Sequence, residues 1–317
     1  MNREEAIKQF NAEQQQRLQE YRLLFQKNLE KKLPVFIERF LFVFKELRIR
    51  LPENQEVTHI YFSILRCDIL NRDYRVLVEC MGKEWFQDPN TVSLYMTMDF
   101  LFEGIDELWV DLLEAVRPYM GKIIQYDIDN MICDTVMECG GYIAEIMRTV
   151  SWNIEANNDF CQIKKAIAWS MLWGEYRGET VIICHADYEK KTRRDWDTLF
   201  TQLERKPAVM ANGYWYQAGL ESCPCSGKDF SYTTFHECIL ENMNFCNSNL
   251  YGARFINCKI RDCQFQKADL RMAKFIDCSW ENVTFEQADT TYSVFSKKGI
   301  PVEEFSEEQW EYMLLAE

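Results

Sequence analysis

From Ala253 to Phe275 the chain reads ARFINCKIRDCQFQKADLRMAKF, and a large apolar residue returns at every fifth position: Phe255, Ile260, Phe265, Leu270 and Phe275. Followed outward, the same register runs back through Leu250, Phe245, Leu240, Phe235 and Phe230. It runs forward through Trp280, Phe285, Thr290, Phe295 and Ile300. All eight phenylalanines between Lys228 and Ile300 lie on it. A short fixed period of this kind marks a solenoid, in which each unit buries its apolar side chain only by stacking on its neighbours.

A second signal lies two residues before each anchor. Those positions read Thr233, Cys238, Met243, Ser248, Ala253, Cys258, Cys263, Ala268, Ala273, Cys278, Val283, Ala288 and Ser293, small or medium-sized apart from Met243. One large and one small inward residue in five, with polar residues between, describe a narrow tube. The large side chain fills the axis and the small one lets the backbone turn close to it. Trp280, Met243 and Thr290 depart from the size or polarity that the pattern prefers.

The local pieces Ser248-Asn249-Leu250, Ala268-Asp269-Leu270 and Ala288-Asp289-Thr290 complete the pattern. Residues 228–300 resemble pentapeptide-repeat proteins, whose unit is Ala-(Asp/Asn)-Leu-X-X with Phe often in place of Leu. The resemblance implies a right-handed quadrilateral β-helix, five residues to a side and four sides to a coil. Three to four coils would then stand about 15–20 Å tall at strand spacing. Side chains twenty apart would stack: Phe235, Phe255, Phe275 and Phe295 on one face, and Leu240, Ile260, Trp280 and Ile300 on the next. Phe245, Phe265 and Phe285 would form the third column; Phe230, Leu250, Leu270 and Thr290 the fourth. Cys238, Cys258 and Cys278 would share a face one coil apart. They suit small buried apolar positions better than a redox or metal ladder, because parallel in-register side chains bridge poorly.

The ends of such a tube need covers. In the tail, Ser306 and Gln309 have capping-box spacing, and Phe305 and Trp310 sit at hydrophobic-staple positions. The expected helix over residues 301–317, with Trp310, Met313 and Leu314 as its stripe, would close the C-terminal end or form a homodimer. The N-terminal domain is expected to cover the other end.

The chain has 317 residues, 47% of them hydrophobic, enough for two domains with cores. Its net charge of −14 is uneven: residues 228–300 balance nine acids with nine bases, 301–317 carry −6, and the remaining −8 lies in residues 1–227. That excess disfavours nucleic acid and anionic lipid as partners. The start, Met1-Asn2-Arg3-Glu4-Glu5, is unlike a secretory signal, and no long uncharged apolar run suggests a transmembrane segment. Thirteen cysteines, an odd number in a chain this long, fit free thiols and a cytoplasmic location.

Residues 1–220 read as an α+β domain, mostly helical. A polar helix is expected over 3–31 and a second from Pro34 to about Leu47, since proline is tolerated in a first turn. The second carries Phe36, Phe40, Val43 and Leu47 on one face. Its basic residues Lys31, Lys32, Arg39, Lys45, Arg48 and Arg50 would also suit a membrane-surface helix, but a core helix packed on both sides is the preferred reading. Alternation predicts strands over 57–64, 74–80 and 92–98. Helices are expected over 105–116, 124–150 and 160–173, with a break or kink at Gly140-Gly141. A short strand over 180–184 and a helix over 194–204 follow. Asn212-Gly213 signals a turn, and residues 221–227 read as an exposed linker into the repeat over 228–300.

Catalytic signals are sparse. Of three histidines, only His185 stands near an acid at a strand end, as His185-Ala186-Asp187, which makes His185 and Asp187 the binding or active-site candidates. Cys223 and Cys225 resemble half of a zinc site with no second pair at metal spacing. No phosphate-binding, dinucleotide-binding or hydrolase motif occurs, so neither cofactor nor catalytic residue is assigned. Three functions remain: a non-catalytic protein-interaction protein, an enzyme with a site in residues 50–215, or a relative of pentapeptide-repeat proteins that mimic DNA and protect gyrase. The short, charge-balanced repeat departs from the long acidic rod of that last group.

Overall fold

Residues Arg3–Arg50 form one helix, α1, opened by a capping box between Asn2 and Glu5. The computed structural model describes residues 2–151, 154–297 and 299–316. The helix boundary expected at Pro34 is absent. Pro34 and Glu30 are both exposed, so water can satisfy the carbonyl that loses its donor at the proline. Phe36, Phe40 and Phe44 meanwhile form a buried ladder, with centroids 6.3 and 5.3 Å apart, that holds the second half in line. That half is packed on one side only, since Phe42 and Ile49 stay exposed.

Strand β1 (Val57–Ile64), the short helix α2 (Arg66–Leu70), β2 (Arg75–Met81) and β3 (Val92–Thr97) follow, with the three strands where alternation placed them. Next come α3 (Ile105–Ala115), α4 (Gln125–Ser151), α5 (Asn158–Gln162), β4 (Lys165–Glu175) and β5 (Thr180–Asp187). The sheet order is β3-β2-β1-β4-β5, with β1 antiparallel to β2 and parallel to β4. Phe40 meets Phe62 at 5.5 Å, bringing α1 against one face of the sheet.

The helix expected over 160–173 is instead α5 followed by β4. Inside the sheet, Met171, Leu172 and Trp173 are buried in succession, and burial on both faces erases the alternation that identifies a strand. α4 is unbroken at Gly140-Gly141. Gly140 serves a close approach, because a Cβ there would lie 3.1 Å from Trp173 Nε1.

The chain divides into two compact units, Met1–His185 and Ala186–Glu317. In the second, helix α6 (Arg193–Phe200) precedes a four-sided parallel β-solenoid. One side stacks β6 (Tyr214–Tyr216), β8 (Thr234–His236), β10 (Arg254–Ile256), β12 (Lys274–Ile276), β14 (Val294–Ser296) and β15 (Leu314–Ala316). The next stacks β7 (Gly219–Glu221), β9 (Ile239–Glu241), β11 (Lys259–Arg261) and β13 (Ser279–Glu281). Single bridges define the other two, through Pro224, Asn244, Gln264 and Thr284 and through Asp229, Asn249, Asp269 and Asp289. Each pairing advances by twenty residues, as the repeat predicts.

The solenoid is longer than its phenylalanine pattern. It begins at Tyr214, four coils run from β6 to β14, and a fifth turn passes through the tail to β15. Residues 221–227, expected as an exposed linker, belong to the first coil, with Cys223 and Cys225 buried. Trp215, Leu220 and Cys225 hold the same five-residue register there, but a cysteine on the axis hides it. At the far end Phe305 stacks on Phe285 at 4.6 Å, so the column of Phe245, Phe265 and Phe285 gains a fourth ring.

The tail does cap the tube. The Ser306–Gln309 capping box forms, but helix α7 (Glu307–Glu311) is only five residues long. The Gln309 side-chain amide donates to the carbonyls of Phe285 and Ala288, 2.9 Å from each. Leu314 lies on β15 and not on a helical stripe, and strand pairing on the Leu240–Ile260–Trp280 side ends at β13, with Ile300 half-buried against the same core. The other end is closed from within the same unit: Trp196 of α6 is fully buried, parallel to Phe230 at 5.7 Å and 4.8 Å from Trp215.

Candidate functional site

Three of every five solenoid side chains point outward, so the coil repeats place chemistry in columns. On the β7–β13 side one column reads Glu221, Glu241, Arg261 and Glu281, with neighbours paired across the strands. Arg261 bridges two coils at once, 2.9 Å from Glu241 and 2.6 Å from Glu281. The parallel column reads Gly219, Ile239, Lys259 and Ser279, all exposed. The result is a flat face of mixed charge whose geometry is set by strand spacing and not by flexible loops.

The corners explain the polar half of the repeat. Asp229, Asn249, Asp269 and Asp289 each accept from the backbone N–H two residues on, at 3.0–3.1 Å. These Asx turns are why Asp or Asn precedes so many anchors. Two residues after the anchors the backbone is left-handed, as at Asn242, Asn257, Asp262, Asp277 and Asn282, a conformation that Asn and Asp tolerate better than most residues. Apolar spacing does not reveal this corner position. The frequency of Asn, Asp and Gly there was the available signal.

A family model described as a pentapeptide repeat region matches residues 218–295. Residues 218–295 are a pentapeptide-repeat region. Among solved structures, a pentapeptide repeat protein from the cyanobacterium Cyanothece 51142 is 26% identical. The match covers 25% of this chain and 53% of that one, with a TM-score of 0.24. A pentapeptide repeat protein from Nostoc Pcc 7120 is 15% identical over 38% of this chain and 94% of its own, at a TM-score of 0.29. QnrB1, a plasmid-mediated fluoroquinolone resistance protein, is 18% identical over 27% of this chain and 49% of its own, at 0.24. The chain thus spans about half the length of the first and third of these. No curated protein matches it.

Within the pentapeptide-repeat region the cysteine column is buried. The Cys238, Cys258 and Cys278 thiols donate to the carbonyls of Trp215, Phe235 and Phe255 at 3.1, 3.2 and 3.3 Å. Each sulfur fills an alanine-sized site and adds a weak bond to the coil below. Cys223 and Cys225 lie in the same core, where burial raises both thiols. Among the described residues no three His, Cys, Asp or Glu side chains stand as a metal-holding group.

His185 and Asp187 both lie on β5. Asp187 is held by Lys191 at 2.5 Å and accepts the Glu189 N–H at 3.0 Å, so its carboxylate stabilises the turn that follows the strand. In the first unit, one face of the sheet carries His59, Tyr61 and Glu79. His59 Nδ1 lies 2.9 Å from Ser170 Oγ, with Trp85 packed edge-on at 4.0 Å. Burial lowers its pKa to about 4, leaving a neutral imidazole. Glu79 stands opposite Tyr61 with one carboxylate oxygen buried and unbonded, and desolvation raises its pKa. No sequence motif marks this group, because its members come from three strands and the 3-10 turn Trp85–Gln87.

Proposed function

We propose that the chain is a non-catalytic protein-interaction protein whose pentapeptide-repeat region offers its β7–β13 face to a protein partner. The observation that carries this reading is the column of Glu221, Arg261 and Glu281, all exposed, with the half-buried Glu241 between them, beside Ile239 and Lys259. Strand pairing presents it at fixed spacing, with little ordering entropy left to lose on binding. The test places a photo-crosslinker at Lys259 in the full chain and identifies the captured protein in native extract. That protein should then bind the purified chain, and Ile239→Asp with Arg261→Glu should weaken binding at least tenfold. Undiminished binding by a stably folded double variant would discard the reading.

A DNA-mimicking, gyrase-protecting role draws less support, since Lys259 and Arg261 interrupt the negative charge that imitation of a phosphate backbone requires. A gyrase supercoiling assay with a quinolone decides it; restored supercoiling on adding the protein would reinstate that role. Homodimerisation through the C-terminal segment would use β15, which has a strand neighbour on one side and exposes Leu314 and Leu315. Sedimentation of the chain and of Leu315→Glu tests this: a monomer at high micromolar concentration rules it out.

A further inference from the structure

In the first unit β3 is an edge strand, and its free side faces a groove along α1. Met98 N–H donates to the Tyr74 carbonyl at 2.8 Å, and the register pairs Met96 with Val76 and Leu94 with Val78. Backbone groups alternate along an antiparallel strand. Val92, Leu94 and Met96 therefore bond inward to β2, while Ser93, Tyr95 and Thr97 aim their N–H and C=O groups at the open side. One of these is already taken: Arg39 of α1 donates to the Thr97 carbonyl at 3.1 Å. Among the described residues no strand pairs with the outward groups of Ser93 and Tyr95.

The groove beside this edge has a volume of about 600 Å³ and an apolar lining that includes Val35, Phe42, Val43, Leu94 and Met96. Phe42 is 50% exposed, Val35 43% and Tyr95 47%. Natural sheets blunt such edges with proline, charge or cover, and β3 contains neither proline nor charge. Unpaired donors and acceptors repeating along a strand recognise another strand, and the adjoining groove takes the side chains that such a strand turns toward α1. Three of the four charges lining the groove are engaged, Arg39 with Thr97 and Arg50 with Glu46. Glu38 makes no ion pair among the described residues, which leaves its carboxylate to meet a cation of the occupant.

We propose that β3 and α1 form a docking site for an extended segment of a partner protein, added as a further strand. The segment carries apolar residues at alternate positions and a Lys or Arg placed to meet Glu38. The site lies outside the solenoid, so it stands or falls independently of the role assigned to the β7–β13 face.

The test selects random dodecapeptides displayed on phage against the full chain, then measures synthetic copies of the enriched sequences by fluorescence anisotropy. Alternating apolar residues with a basic neighbour are expected. Tyr95→Pro removes only an outward N–H from the ladder, whereas Tyr95→Ala keeps it. The proline variant should weaken binding at least tenfold more than the alanine variant. Phe42→Ser should also weaken binding, and Glu38→Lys should shift the selected sequences toward acidic neighbours. If Tyr95→Pro does not fold, the Phe42 and Glu38 variants decide alone. Enriched peptides indifferent to folded variants, an absence of enrichment, or pairing of β3 with a second copy in solution would each overturn the proposal.

Discussion

Phe255 and Phe275, one coil apart, stack with ring centroids 4.6 Å apart and 9° between their planes. Both are buried, and the column extends from Phe235 to Phe295 in one continuous stack. Stability of the solenoid therefore resides in contacts between successive coils.

Replacing Phe255 with alanine should cost about 3–5 kcal/mol, the usual range for deleting a buried phenyl group. Urea unfolding of the full chain measures it, following the transition of the second unit. The double variant with Phe275→Ala should lose less than the sum of the two single losses, because the residues share a contact. Additive losses would contradict the stacked column.

Gly252 has φ +64°, and a Cβ there would stand 2.7 Å from Tyr232 Cδ1. Gly252→Ala combines left-handed strain of about 1–2 kcal/mol with that clash. Adding Tyr232→Ala should recover the clash and leave the strain. Thermal unfolding of the two single variants and the pair separates them; a tolerated Gly252→Ala would show that the corner can shift.

His59 contributes to the pH dependence of stability. Its folded pKa is lowered to about 4 from an ordinary value of 6.5. The neutral form is thus favoured in the folded state, and the contribution is complete above pH 6.5. It is lost as the pH falls from 6.5 toward 4. His59→Gln should flatten the difference in unfolding free energy across that window. Parallel curves for the two proteins would show that His59 titrates normally.

Cysteine reactivity should divide by position. Cys67 and Cys161 are exposed, whereas burial raises the Cys139 and Cys263 thiols to about 12 and about 11 and pushes Cys258 up as well. Mass spectrometry after brief alkylation of the native protein at pH 8 should find Cys67 and Cys161 modified first, and the solenoid core cysteines only after denaturation. Early labelling of Cys258 would mean the coils open readily.

The solenoid was legible because every anchor announces itself at a fixed distance along the chain. It faded where the anchors changed size or chemistry. Cys225 is small, so the first coil resembles a linker, whereas Phe305 keeps the twenty-residue step from Phe285 across an irregular turn. In the first unit β1, β2 and β3 alternate and were readable. β4 buries Met171, Leu172 and Trp173 in succession, so its spacing does not distinguish it from a helix, and Pro34 suggests a boundary that the Phe36–Phe40–Phe44 packing overrides. The His59–Ser170 contact and the β3 groove left no trace in spacing.

The amino-acid order alone determined the coil: five residues per side, Asx turns at the corners and aromatic columns within. Each of those follows from neighbours along the chain or from the repeat stacking on itself. Tertiary structure alone decided which strand lies at the edge of the mixed sheet, which helix walls its groove, and what closes each end of the tube. Those outcomes depend on pairings between segments far apart in sequence, whose relative energies no local pattern encodes.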